Sequence, residues 1–175
     1  QACGVHPLTR LDRDTFGVVL LAKNANVHDR FCRLLREKQL EKTYLASVFG
    51  HPPQDAGEID LPVYKVGGGS LIRVVDARGQ QALTRYRVLE TAGQTALLEL
   101  HPMTGRTHQL RLHCMASGFP ILGDPQYTGP EAKAYSDAHG LQFQQLCAAR
   151  LVFSHPMTGE RIEICSRQAV FFPKD

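Results

Sequence analysis

At 175 residues, with 43% hydrophobic and 21% charged side chains, the chain has the composition of one globular domain long enough to bury a core. A net charge of +3 at pH 7 and a pI near 8.7 exclude a histone-like basic tail and leave nucleic acid open as a partner. No apolar stretch approaches the ~20 residues that cross a bilayer. The opening residues Gln1 to Pro7 form no signal peptide and lack an initiator Met, so a processed or engineered fragment is expected. Cys3, Cys32, Cys114, Cys147 and Cys165 are odd in number and never closer than 18 residues. No Cys-x-x-Cys pair exists for zinc or redox work, and free buried thiols in a reducing cytoplasm are expected.

The first informative stretch is residues 9–17, Thr-Arg-Leu-Asp-Arg-Asp-Thr-Phe-Gly, which places Arg10, Asp12, Arg13 and Asp14 within five positions. A carboxylate held between guanidinium groups at the mouth of a strand stays ionised and keeps its direction, which suits a nucleophile or a base. A surface salt-bridge network perturbs carboxylates too, and the residues alone leave both readings open. Phe16–Lys23, with its apolar run Val18–Ala22, reads as a buried strand. Asn24 then caps a helix over Asn26–Gln39, whose Val27, Phe31, Leu34 and Leu35 make an apolar stripe. Arg30, Arg33, Arg36, Lys38 and Lys42 crowd the same region, either as a solvated helix face or as an RNA track.

Lys42–Phe49 is a half-buried strand closed by Gly50-His51-Pro52-Pro53, and a Gly-rich kink follows at Gly67-Gly68-Gly69. Tyr44 on that strand is a packing residue or a ring for stacking on a base. Leu71–Asp76, Ala82–Glu90 and Thr95–His101 read as three strands of an antiparallel meander. Thr107–Ser117 is a short helix stopped by Gly118, and the preceding Gly105 turn offers N–H groups to an anion. Pro120–Gly129 is loop-like and Pro130–His139 is polar and mobile. Cys147–His155 and Arg161–Cys165 pair as a hairpin. The class is therefore α+β, a mixed, mainly antiparallel sheet flanked by a few helices.

His101, His108 and His113 raise the question of a metal. His108 and His113 lie five apart, about 140° around a helix, whereas zinc ligands on one helix want the i, i+4 spacing, so no metal is expected.

Five stretches in order resemble the RluA-type pseudouridine synthases. Residues 9–17 match the loop His-Arg-Leu-Asp-x-x-Thr-Ser-Gly, with Thr9 for the His and Phe16 for the Ser; Lys42-Thr43-Tyr44-Leu45-Ala46 matches Lys-x-Tyr-x-Ala. Thr104 to His113 match Thr-Gly-Arg-x-His-Gln-[Ile/Leu]-Arg-x-His at every fixed position. Pro120 to Tyr127 resemble Pro-[aliphatic]2-Gly-Asp-x-x-Tyr-Gly, and His155 to Glu160 match a C-terminal hairpin. The resemblance implies that Asp12 is catalytic as a nucleophile at sugar or base. It implies that Arg106 pairs with Asp12, and that Tyr44 packs on the target base and handles its proton. By the same resemblance Arg10 fills the space of a flipped uridine and Leu122 supports Tyr44 from beneath; Arg111, one helical turn beyond Arg106, is expected to meet a phosphate, and His108 to lie on the RNA.

The family places a further strand and a Lys-Pro-x-Gly loop ahead of the Asp loop, sometimes after an S4 domain. Residues 1–8 match it poorly, so an N-terminally incomplete catalytic domain without an S4 domain is expected. The implied activity is isomerisation of uridine in ribosomal or transfer RNA, in the cytoplasm, with no cofactor, no membrane and no evident protein partner. A non-catalytic or truncated RNA-binding relative is the alternative. An unrelated hydrolase built on Asp12 and the histidines fits their spacing poorly.

Overall fold

The computed structural model describes residues 4–67 and 71–173. Cys3 and the Gly68-Gly69 part of the expected kink lie outside them. In chain order the elements are β1 (His6–Pro7), β2 (Phe16–Gly17), β3 (Leu21–Ala22), α1 (Ala25–Arg36), β4 (Glu41–Phe49), β5 (Ala56–Asp60) and β6 (Val63–Lys65). Then come β7 (Arg73–Val75), β8 (Leu83–Ala92), β9 (Thr95–Pro102), α2 (Gln109–Ala116), α3 (Pro130–Ala138), β10 (Leu146–Ser154) and β11 (Arg161–Cys165). No helix among the described residues is long and apolar enough to cross a membrane.

The fold is α+β. Its main sheet runs β11-β10-β4-β9-β8-β5, antiparallel throughout, with β2 adding a short parallel pairing to β10. β4 and β9 are the central pair, and β8 and β9 form a hairpin because Gly93, at φ 52°, turns the chain between two strands whose alternate residues are apolar. Ala46 and Val48 on β4 face the same way as Leu98 and Leu100 on β9, and α2 covers them with Leu110 and Cys114. Leu98 and Leu100 have no exposed surface, so truncating either to Ala costs about 2–5 kcal/mol. A second core forms where α1 sets Phe31 and Leu34 against Leu151 and Phe153 of β10. Asn24 caps α1 as its sequence requires, accepting the Val27 N–H at 3.0 Å.

Several expectations change. Phe16–Lys23 is two short strands instead of one buried strand, and Val19 and Leu21 are exposed. The break comes at Gly17, where φ is 114° and a Cβ would run into the Ala148 carbonyl beside the β10 bulge. Residues 71–76 leave the meander, because β7 pairs with β6 in a separate ribbon. β5 and β6 carry no clean alternation and escape a reading by pattern. Pro130–His139 holds a helix, α3, with Pro130 at its start and Ala132 and Ser136 buried. Of the described thiols, Cys114 and Cys147 are buried, Cys32 is half-buried and Cys165 is exposed.

Candidate active site

The acidic loop is an excursion from a small ribbon. β1 and β3 pair, and Leu8 N–H continues the ladder to the Leu20 carbonyl at 2.9 Å. Thr9 is buried, and its hydroxyl accepts the Leu20 N–H at 2.9 Å, so the base of the loop is closed by a side chain. Within the loop the Asp12 carbonyl accepts the Thr15 N–H at 3.0 Å. The Thr15 hydroxyl in turn accepts from the buried amide of Gln144 at 2.7 Å. Phe16 and Gly17 then lock onto β10. A six-residue excursion pinned at both ends holds Asp12 at the lip of a cleft of about 350 Å³.

The opposite wall is the turn from β9 into α2. Gln109 organises it: its NH₂ donates to the Leu83 carbonyl and the Thr84 hydroxyl, both at 3.0 Å. Its oxygen accepts from the Thr104 hydroxyl at 2.8 Å and the Arg106 N–H at 3.0 Å. That uses all four hydrogen-bonding positions of the amide. His113 is equally committed. Its Nε2 donates to the Leu61 carbonyl and its Nδ1 accepts from Thr84, both at 2.9 Å, and burial lowers its pKa. Among the described residues no cluster of three or more His, Cys, Asp or Glu side chains is placed to hold a metal ion.

Arg111, on the first turn of α2, points inward and is 5% exposed. It makes a two-pronged contact with Asp124, at 2.7 and 2.9 Å, and reaches Asp12 Oδ2 with its remaining nitrogen at 3.3 Å. Burial opposes its charge, but the hydrogen bonds and charges of Asp124, joined by Asp12, raise its pKa. Asp124 is held by the Gln126 and Tyr127 N–H groups, both at 2.9 Å. Gly123 before it, at φ 70°, lies against the Phe143 carbonyl where no Cβ fits. The Arg111 guanidinium also sits 4.9 Å from the Tyr127 ring centre. The Tyr127 hydroxyl accepts the Arg73 N–H and lies 2.9 Å from His108 Nδ1. That contact holds His108 in a left-handed conformation, φ 57°, uncommon outside glycine.

Tyr44, from β4, borders the same cleft. Burial, assisted by the charge of Asp12, pushes its hydroxyl up to about 12, so it is a neutral phenol at physiological pH. Burial also lowers His108, against the opposing pull of Asp12.

The geometry thus brings Asp12, Tyr44, Arg106, His108, Arg111 and Arg10 to one cleft, with two of them in exchanged positions. The ion pair with Asp12 belongs to Arg111. Arg106 precedes the helix, is exposed, and donates from Nε to the Gln81 carbonyl at 3.1 Å. Arg111 in turn is no surface phosphate ligand, because its nitrogens are spent on two carboxylates below the surface. The neighbours in the loop do not cage Asp12 either: Arg13 pairs with Asp14 at 3.2 Å and Arg10 is exposed at the mouth.

Leu122 is fully buried and touches no solvent, so it cannot lie on RNA. The chain turns at Leu122 and Gly123, and it is Ile121, bridged to Val48, that joins the core against which Tyr44 packs. Asp124 and Tyr127 are the functional candidates that the reading of single residues passed over. Their signal lay in the Gly-Asp-x-x-Tyr spacing, from which only the aliphatic position was taken.

Residues 1–116 match the family model described as RNA pseudouridylate synthase. The chain is 42% identical over 151 residues to the dual-specificity RNA pseudouridine synthase RluA of Yersinia pestis, covering 85% of this chain and 73% of that protein. It is 37% identical over 155 residues to the ribosomal large subunit pseudouridine synthase C of Vibrio vulnificus, covering 89% of this chain and 49% of the relative. It therefore spans about half the length of that relative. The solved structure of human RNA pseudouridylate synthase domain containing 1 superposes with a TM-score of 0.80 at 28% identity, over 94% of this chain and 69% of that one.

Proposed function

The chain belongs to the RNA pseudouridylate synthase family, and we propose that it isomerises uridine to pseudouridine in ribosomal or transfer RNA. The observation that carries the reading is Asp12, held at 3.3 Å by a buried guanidinium and facing Tyr44 across an open cleft. In the reaction the bond from the ribose carbon to N1 of uracil breaks and one to C5 forms. C5 loses a proton and N1 gains one. Atoms and electrons balance within the nucleoside, so the step asks for no cofactor.

Asp12 supplies the nucleophilic carboxylate. Arg111 sets its direction and balances its charge, and Asp124 and Tyr127 keep Arg111 from moving. The Tyr44 ring packs on the uracil face. Its hydroxyl, being a phenol pushed up to about 12, takes the C5 proton only by releasing its own in the same event; Asp12, freed as a carboxylate once the bond to C5 has formed, is the neighbouring acceptor, and the proton that N1 gains balances the one C5 loses. A stacked uridine cannot reach this cleft, so it is turned out of the RNA at a cost of a few kcal/mol. Arg10, exposed at the mouth, occupies the space it leaves.

The test uses ribosomal and transfer RNA tritiated at uracil C5. Release of tritium with pseudouridine in the digested RNA, abolished by Asp12→Asn, is the expected result. RNA binding without any release from either class leaves the non-catalytic relative as the reading.

A further inference from the structure

Resting on that reading, we propose that the groove beside the Asp12 cleft is a track for single-stranded RNA backbone, holding the nucleotides next to the uridine that enters the cleft. The groove, about 560 Å³, runs between the C-terminal end of α1, the start of β4 and the β9–α2 turn. Lys42, Thr104, Gly105 and Arg106 border both cavities, so the two meet along one rim. A strand that delivers a uridine to Asp12 has to leave the cleft, and this rim is a way out.

The charge around the groove is one-sided. Arg36, Lys38, Lys42, Arg85 and Arg106 line it against a single carboxylate, Glu41, while the whole chain carries 20 basic residues against 17 acidic ones. Among the described residues no carboxylate lies within ion-pair distance of Arg36, Lys38, Lys42 or Arg106; Arg85 reaches Glu58 at 2.7 Å, and both are exposed. Burial lowers the pKa of Lys42, the condition of an amine partly stripped of water and given no carboxylate in return. Leu35, Leu40, Pro102 and Met103 supply an apolar floor for ribose or base. A line of cations follows the phosphates of a single strand without reading its sequence.

The origin of these cations separates a track from a solvated helix face. Of the basic cluster around α1, Arg36, Lys38 and Lys42 turn to the groove; Arg30, bonded to Asn26, and Arg33 do not line it. Arg85 and Arg106 join from β8 and from the turn before α2. Three segments converge on one groove.

The experiment titrates a fluorescent oligouridylate of about 12 nucleotides against wild-type chain and variants between about 50 and 200 mM salt. The groove variant combines Arg36→Gln, Lys38→Gln and Arg85→Gln. A control removes the same charge elsewhere with Arg30→Gln, Arg33→Gln and Arg167→Gln, and a third variant keeps the charge with Arg36→Lys, Lys38→Arg and Arg85→Lys. Single-stranded contacts contribute about 0.7 each to the salt slope. The groove variant is expected to lose about 2 from that slope and at least about tenfold in affinity, with the control and charge-keeping variants close to wild type. Equal losses in groove and control variants, or none in the groove variant, overturn the track. So does tighter binding of a polyaspartate of matched charge, which would make the groove a site for acidic protein. Tritium release is measured alongside: release with unchanged slopes removes the track alone, and slope loss without release removes the isomerase reading and leaves an RNA groove.

Discussion

Two sets of cations stand around the cleft and the groove beside it under opposite physical conditions. Arg111 is buried and joined to two carboxylates, one of them fully enclosed. Arg106, Arg36 and Lys38 are exposed, with no carboxylate in reach among the described residues. For the buried set, water has been removed and geometry is rigid; breaking one member leaves a charge with nothing around it. For the exposed set, salt screens each charge and the fold gains little, yet a polyanion feels them together. Position relative to water, more than residue type, decides whether an arginine here shapes a site or attracts a partner.

The predictions test that contrast, the largest effect first. Asp12→Asn keeps the shape of the loop and removes the charge facing Arg111, so turnover is expected to fall by about 10³-fold or more, with RNA affinity within about threefold. Single-turnover rates and RNA titration check both numbers, and a rate near wild type would refute the role of Asp12.

Tyr44→Phe keeps the ring and removes one hydroxyl. It is expected to bind RNA normally and to lose about 10²–10⁴-fold in turnover. A Phe variant reacting at the wild-type rate would reduce Tyr44 to packing.

Arg111→Met strands Asp124 without its partner and is expected to destabilise the fold by about 3–5 kcal/mol in urea unfolding. Adding Asp124→Leu should recover much of that loss, because the buried charge goes with it. If the single variant unfolds like wild type, Arg111 is wetter than its neighbours suggest and the contrast with Arg106 collapses.

A pH effect follows from Tyr44. Its folded pKa of about 12 lies above the unfolded value near 10. Above pH 10 the unfolded chain therefore holds fewer protons than the folded one, and stability falls as pH rises, by up to about 1.4 kcal/mol per unit. Subtracting the curve of Tyr44→Phe isolates this slope between pH 9 and about 10.5. Identical curves would mean that solvent reaches the hydroxyl freely.

Smallest of all is Lys133→Gln. Lys133 and Asp137 form an exposed i, i+4 pair on α3, and its loss should cost about 0.3–0.5 kcal/mol. A larger cost would blur the line between the two kinds of cation.

Much of this was legible in residue order. The cap at Asn24, the stripe of α1, the alternation of β4, β8 and β9 and the hairpin of β10 and β11 are local signals, written within a few residues of where they act. The five ordered stretches also carry the resemblance to the family. What remained hidden was non-local. β5 forms because β8 offers it an edge, and β7 leaves the meander because β6 competes for it; neither partner is visible in the strand's own residues.

The site divides in the same way. Chemistry-bearing types at fixed spacing, such as the Asp of the loop, the Tyr after Lys-x and the two arginines of Arg-x-His-Gln-x-Arg, are properties of the chain itself. Which arginine meets Asp12 is not, since only four residues separate Arg106 from Arg111 and both are long enough to reach a cleft. The helix begins only at Gln109, whose amide is consumed in bracing the turn, and that start sends Arg111 inward and leaves Arg106 outside. Ile121 and Leu122 were interchangeable in composition until a single backbone bridge to Val48 set their faces. Local physics chose the residues; only packing against distant strands could choose between neighbours.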